Sequence, residues 1–158
     1  MTKVLSRGLV VAAGLFAATQ HANPDVSKRE FAAAADPRTL KIRKFFASTG
    51  CPASAFATDF VLAADQHHLD WRLLPSLSFL ETTGGKTQRN NNLFGWSNGE
   101  TRFPSIRAGI YMVASRLSQA RHYRGKTVDQ KLRLYNTDRA YPQKVRATMR
   151  ALSAVPAY

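Results

Sequence analysis

The amino-acid sequence predicts a mainly α domain with one small β-hairpin. Three observations carry that expectation. Apolar residues recur every three or four positions in successive stretches, helix-start and helix-stop residues bracket those stretches, and one Asn-Gly pair, Asn98-Gly99, interrupts them between two short segments. With 158 residues and 44% hydrophobic content, the chain has room for one domain of ordinary size with its own core.

Lys3 and Arg7 precede the small and apolar run Gly8 to Ala18, the charged n-region and short h-region of a secretory signal, so residues 1–22 are expected to be a signal peptide cut between Ala18 and Ala22. As a helix the run would reach roughly 16 Å, about half of a ~30 Å hydrocarbon core, which disfavours a permanent membrane anchor. The chain is therefore expected to be exported, to a periplasm or the extracellular space. Residues 23–35 are polar, then Ala-rich, without a sustained apolar period, and are expected to form a linker ahead of a domain over residues 36–158.

Asp36-Pro37 offers an N-cap followed by proline at the first helical position, and Leu40, Ile42, Phe45 and Phe46 supply an apolar side as far as Ser48. Ser54 to His68 carries Phe56, Phe60, Ala63, Ala64 and His67 at amphipathic spacing. A third helix is expected from Trp71 to Glu81, with Asp70 as its cap, Pro75 in its first turn and Gly84-Gly85 beyond its end. Around Asn98-Gly99, pairing outward for a type I′ turn puts Trp96 opposite Thr101 and Phe94 opposite Phe103. Ile106, Ile110, Val113 and Leu117 then mark a helix over Ser105 to His122. Thr127 with Gln130 fits a capping box for a short helix through Tyr135, and Pro142 opens a last one bearing Val145, Met149 and Leu152.

Charge narrows the function. Lys and Arg number 23 against 10 Asp and Glu, a formal +13; removing residues 1–22 takes away two cations and no acid and leaves +11. Such a domain is drawn to anionic polymer, with Arg116, Arg121, Arg124 and Lys126 as a basic cluster. Nucleic acid is the weaker partner, because an export signal is present and a basic-aromatic recognition motif is not. Cys51, the single cysteine, excludes a disulfide framework and reads as a buried small hydrophobe. Four His, of which His67-His68 diverge by about a hundred degrees on a helix, leave no metal site in view, and no cofactor is implied.

Chemistry must then come from carboxylates. Glu81 closes a strongly apolar helix directly before Thr82-Thr83-Gly84-Gly85, a position where partial burial raises a carboxyl pKa and keeps a proton available for donation. Glu100 on the hairpin and Asp138 in the late loop are the attractive second acids. An inverting pair of carboxyls needs about 6.5–9.5 Å between them and a retaining pair about 5–5.5 Å. Asn90 to Asn92 read either as hydrogen-bonding groups for acetamido substituents or as ordinary loop chemistry; Trp96 reads either as a sugar-stacking face or as packing within the hairpin.

Glu81-Thr82-Thr83-Gly84-Gly85-Lys86 and Asn90-Asn91-Asn92-Leu93-Phe94-Gly95-Trp96, followed in order by Tyr135-Asn136-Thr137-Asp138-Arg139-Ala140-Tyr141, resemble the signature of the glucosaminidase family in the lysozyme-like superfamily. The resemblance covers about Phe45 to Leu152. It implies a lysozyme-like helical domain that cuts the glycan strands of peptidoglycan, with Glu81 as the catalytic acid, Asn91, Asn92, Phe94 and Gly95 shaping the cleft floor, and Tyr141 binding substrate or tuning Glu81. The family often has a Tyr after the hairpin, where this chain has Phe103 and lacks the hydroxyl. Three readings follow: an endo-β-N-acetylglucosaminidase-like hydrolase, a lytic transglycosylase leaving 1,6-anhydro ends, or a non-catalytic wall-binding module of the same fold.

Overall fold

The computed structural model describes residues 24–158, so the expected signal peptide lies outside the described residues. The chain is mainly helical. Among the described residues seven α-helices follow one another: α1 (Pro24–Ala34), α2 (Pro37–Ser48), α3 (Ala57–Gln66), α4 (Leu73–Thr82), α5 (Ile106–Gln119), α6 (Val128–Tyr135) and α7 (Tyr141–Ala154), with a 3-10 turn over Pro52–Phe56.

The starts form as the side chains dictate. Asp36 accepts from the Arg38 amide at 2.7 Å with Pro37 inside the first turn, and Ser105 accepts from the Ala108 amide at 3.1 Å. At α6 the capping box is complete: Thr127 Oγ1 accepts from the Gln130 amide while Gln130 Oε1 accepts from the Thr127 amide.

Helix α4 is the core of the molecule. Leu73, Leu74, Pro75, Ser76, Leu77 and Ser78 are all buried, so this helix is covered on every side rather than on one stripe. It packs against α7 and α3, and the surrounding core holds Phe46, Phe60, Ile110, Leu117, Val145 and Leu152. Each such side chain contributes about 1.5–3 kcal/mol on leaving water. The rigid centre thus delivers the end of α4 to the surface at a fixed place. Cys51 is buried as expected.

Two expectations are corrected. Residues 23–35 are not a linker over most of their length, because Pro24–Ala34 is helical and packs on α3. An Ala-rich segment has good intrinsic helix propensity, and α1 docks through Ala33 and through Glu30, which meets Arg107 of α5 at 3.0 Å. So small a contact leaves no apolar period, and Phe31 stays 84% exposed.

The β-hairpin is also absent: among the described residues there is no strand, only an isolated bridge between Arg89 and Asn92. Asn98 and Gly99 do take the left-handed backbone that an Asn-Gly turn requires, but so does Ser97, and the chain coils on itself instead of pairing. Asn92 explains why. Its buried amide nitrogen donates to Trp96 O at 3.0 Å and Thr101 O at 3.1 Å, and its Oδ1 accepts from the amides of Trp96 at 3.0 Å and Phe94 at 3.2 Å. One side chain occupies the backbone groups that a ladder would have used.

Asn92→Ala would orphan two donors and two acceptors in a partly buried loop, and at about 1–3 kcal/mol per unsatisfied group we expect a loss of at least about 2 kcal/mol of unfolding free energy. Urea unfolding measures it; a loss within about 0.5 kcal/mol, the range of ordinary surface substitutions, would show that the loop holds without the amide.

Candidate active site

Glu81 occupies the last turn of α4, which closes with Thr83 in left-handed backbone and the Gly84 amide on Ser78 O at 3.0 Å. Thr82, the next residue, is buried and donates to Leu93 O at 2.8 Å, which clamps the Asn loop against the end of α4. Tyr141 starts α7, and because α7 packs on α4, its hydroxyl reaches Glu81 and donates to Oε1 at 2.5 Å.

The other carboxylate oxygen faces Gly95. A Cβ at this position would lie 3.0 Å from Glu81 Oε2, so only a glycine lets the loop pass this close while leaving the oxygen uncovered. Gly95 also has φ +57°, the left-handed region that favours glycine. The two oxygens therefore have different surroundings: Oε1 is tied to a phenol, and Oε2 lies beside Gly95, where the two residues line a common space.

That space is a groove of two lobes, about 350 Å³ and 620 Å³, that meet at Glu81, Gly95 and Asn98. Aromatic side chains wall the smaller lobe. Trp96 stands edge-on to Tyr135 with ring centres 5.7 Å apart, Tyr135 lies parallel to Tyr141 at 6.0 Å, and the Arg116 guanidinium lies 5.8 Å from the centre of the Trp96 ring. Tyr135 also donates to Phe94 O at 2.5 Å, fixing the loop that carries Gly95. The larger lobe is polar and includes Arg89, Asn90, Asn92 and Glu100.

Burial raises the Glu81 carboxyl above the ordinary glutamate range, and the Tyr141 hydrogen bond, which favours the charged form, opposes part of that rise. The end of α4 adds the partial negative charge of a helix C-terminus, a further reason for the acid to keep its proton. Burial, and then the bond to Glu81, push the Tyr141 phenol well up, so it remains a donor.

Tyr141→Phe preserves the ring but removes that donor. We expect it to raise the Glu81 titration midpoint, read by carbon NMR of the side-chain carboxyl; an unchanged or lower midpoint would show that the hydroxyl does not stabilise the carboxylate.

The structure gathers Glu81, Asn92, Gly95, Trp96, Glu100 and Tyr141 at or beside the groove, although the Asn92 amide is spent on its own loop, and puts other expected site residues elsewhere. Asp138 is bound on both oxygens, to the Ala140 amide at 2.8 Å and to Lys144 Nζ at 2.8 Å, and it is not in the groove wall. Asn91 donates to Phe103 O at 2.9 Å, Asn92 is used within its loop, and Phe94 and Phe103 are core residues. Trp96 is part wall and part packing. Sequence reasoning missed Tyr123, Asn136 and Arg89 as lining residues. Tyr135 was visible as the first member of its motif, whereas nothing local distinguishes Tyr123. Among the described residues no group of three His, Cys, Asp or Glu could hold a metal ion, and no helix is long and apolar enough to cross a membrane.

Comparison of the chain with protein-family models, curated proteins and solved structures finds no match. The functional reading rests on the site and on the sequence motifs that build it.

Proposed function

We propose that the protein cleaves peptidoglycan glycan strands outside the cytoplasm, with Glu81 as general acid. One observation carries this reading: a half-buried carboxyl of raised pKa holds one oxygen on Tyr141 and turns the other toward a two-lobed groove at Gly95. Because Oε1 accepts from Tyr141, the proton of the neutral acid resides on Oε2, the oxygen that faces the substrate space.

The reaction begins with transfer of that proton to the glycosidic oxygen between two N-acetylated sugars. The C1–O bond breaks, the leaving sugar departs as an alcohol, and positive charge develops at C1 and the ring oxygen. Water then attacks C1 and leaves a reducing end, or the substrate's own 6-hydroxyl attacks and leaves a 1,6-anhydro end. Glu81, now a carboxylate, takes up the proton lost by the attacking oxygen. Glu100 lines the larger lobe, and we assign it the orientation of an attacking water.

Trp96, half-buried in the wall of the smaller lobe, offers an apolar face to a sugar ring, and Arg116 lies over part of its indole and brings positive charge to the rim. The basic surface attracts anionic wall polymer over roughly a Debye length of about 8 Å at physiological salt.

Mass analysis of soluble products from purified wall glycan tests the reading. New reducing or 1,6-anhydro ends support it and identify the second step. Sedimentation with wall material and no new ends would leave a binding module. If water is the nucleophile, Glu100→Gln lowers the yield of reducing ends; if the 6-hydroxyl attacks, the yield is indifferent to that substitution.

A further inference from the structure

We propose a phosphate-binding site on the far side of α7, built by Arg133, Arg146 and Arg150. A cavity of about 220 Å³ lies between α6 and α7, lined by these three arginines with Asp129, Pro142 and Gln143. It shares no lining residue with either lobe of the groove, so it is a separate place on the molecule.

The sequence and the packing together assemble it. Arg146 and Arg150 are four residues apart on α7 and therefore share a helix face, Arg133 comes from the last turn of α6, and α6 packs against α7. Three guanidiniums thus gather around one small volume.

Their charge is largely uncompensated. Asp129 is the only carboxylate in the lining, and its Oδ1 accepts from Arg146 Nε at 2.9 Å. Arg133 and Arg150 pair with no carboxylate among the described residues, although both are close to that acid in sequence or space. Gathering three like charges is unfavourable unless an anion joins them, and a chain with a formal +13 has other surface on which to spread them.

The number of forks selects the anion. A guanidinium presents paired donors that match two oxygens of one ligand, so one arginine satisfies a carboxylate. A phosphate group offers three or four oxygens around a tetrahedron and accepts from several forks at once. A phosphoryl group, free or within a phosphodiester polymer, therefore fits this cavity better than a carboxylate. A polymer held there would keep the enzyme near its surroundings while leaving the groove open.

Arginine side-chain NMR of the whole chain, titrated with inorganic phosphate against chloride at equal ionic strength, tests the site. We expect saturable shifts at Arg133, Arg146 and Arg150. Combined Arg133→Gln and Arg150→Gln should weaken binding by about tenfold or more, since both residues are exposed and the fold does not depend on them. Arg43→Gln with Arg102→Gln, both exposed and outside the cavity, removes the same charge elsewhere and should leave affinity within about twofold.

Poly(glycerol phosphate) supplies the second arm. Tighter binding per phosphate than inorganic phosphate identifies a polymer as the ligand, and equal binding identifies the free ion; both support the site. Shifts that do not saturate, acetate binding as well as phosphate, or equal losses in the two double variants would each overturn it.

Discussion

Glu81→Gln is expected to reduce release of soluble fragments from purified wall glycan by about 10²–10⁴-fold, the range over which a positioned general acid contributes. The substitution changes very little else. The amide has the same shape, its oxygen still accepts from Tyr141, and only the transferable proton is lost. Stability should respond in the opposite sense to activity. Glu81 has a folded pKa above its unfolded value, so its contribution to stability is fully present below the ordinary glutamate range and is lost as pH rises through the raised folded pKa. The amide never ionises. The variant's melting temperature should therefore equal or exceed that of the wild type near neutral pH, by a margin that disappears on acidification. Activity of the wild type should fall along the same rise in pH, as the acid loses its proton. Undiminished release of fragments by a folded Glu81→Gln chain would remove Glu81 from its role, and a melting temperature lowered at neutral pH would show that the carboxylate is not held against its charge.

Much of this arrangement is readable along the chain because it is local. Asp36-Pro37 and the Thr127–Gln130 capping box announce helix starts through contacts two or three residues long, and each forms in the structure. Glu81 is conspicuous for the same reason, as an acid closing an apolar helix. What escaped the sequence depends on contacts between distant parts. The family resemblance left Tyr141 either binding substrate or tuning Glu81; no local pattern chooses, because the bond between them spans sixty positions and the packing of α7 on α4 creates it. Asn98-Gly99 has the composition of a hairpin turn and even its backbone, yet Asn92 captures the carbonyls and amides around it, a competition that no turn preference contains. Helix α1 failed to announce itself for a related reason. A helix that docks through one alanine and an ion pair needs no apolar stripe.

Gly95 carries the second large effect, and it separates two costs that a glycine substitution usually confounds. In Gly95→Ala the new methyl would sit 3.0 Å from Glu81 Oε2 and 3.6 Å from Glu81 Cβ, so the carboxyl must turn away or the loop must lift. A reacting group displaced by about 1 Å costs on the order of a hundredfold in rate, and we expect a loss of at least that size. The same substitution forces an alanine into left-handed backbone at a cost of about 1–2 kcal/mol, which by itself would lower stability without touching the chemistry. Gly125 provides the comparison. It also has positive φ, +73°, but a Cβ there meets nothing within 4 Å, and it lines neither lobe. Gly125→Ala should therefore lose stability through backbone strain and keep its activity, while Gly95→Ala should lose both. Equal activities for the two variants would mean that the open path to Oε2 is not what Gly95 provides, and that the groove oxygen of Glu81 is not the one that meets the substrate.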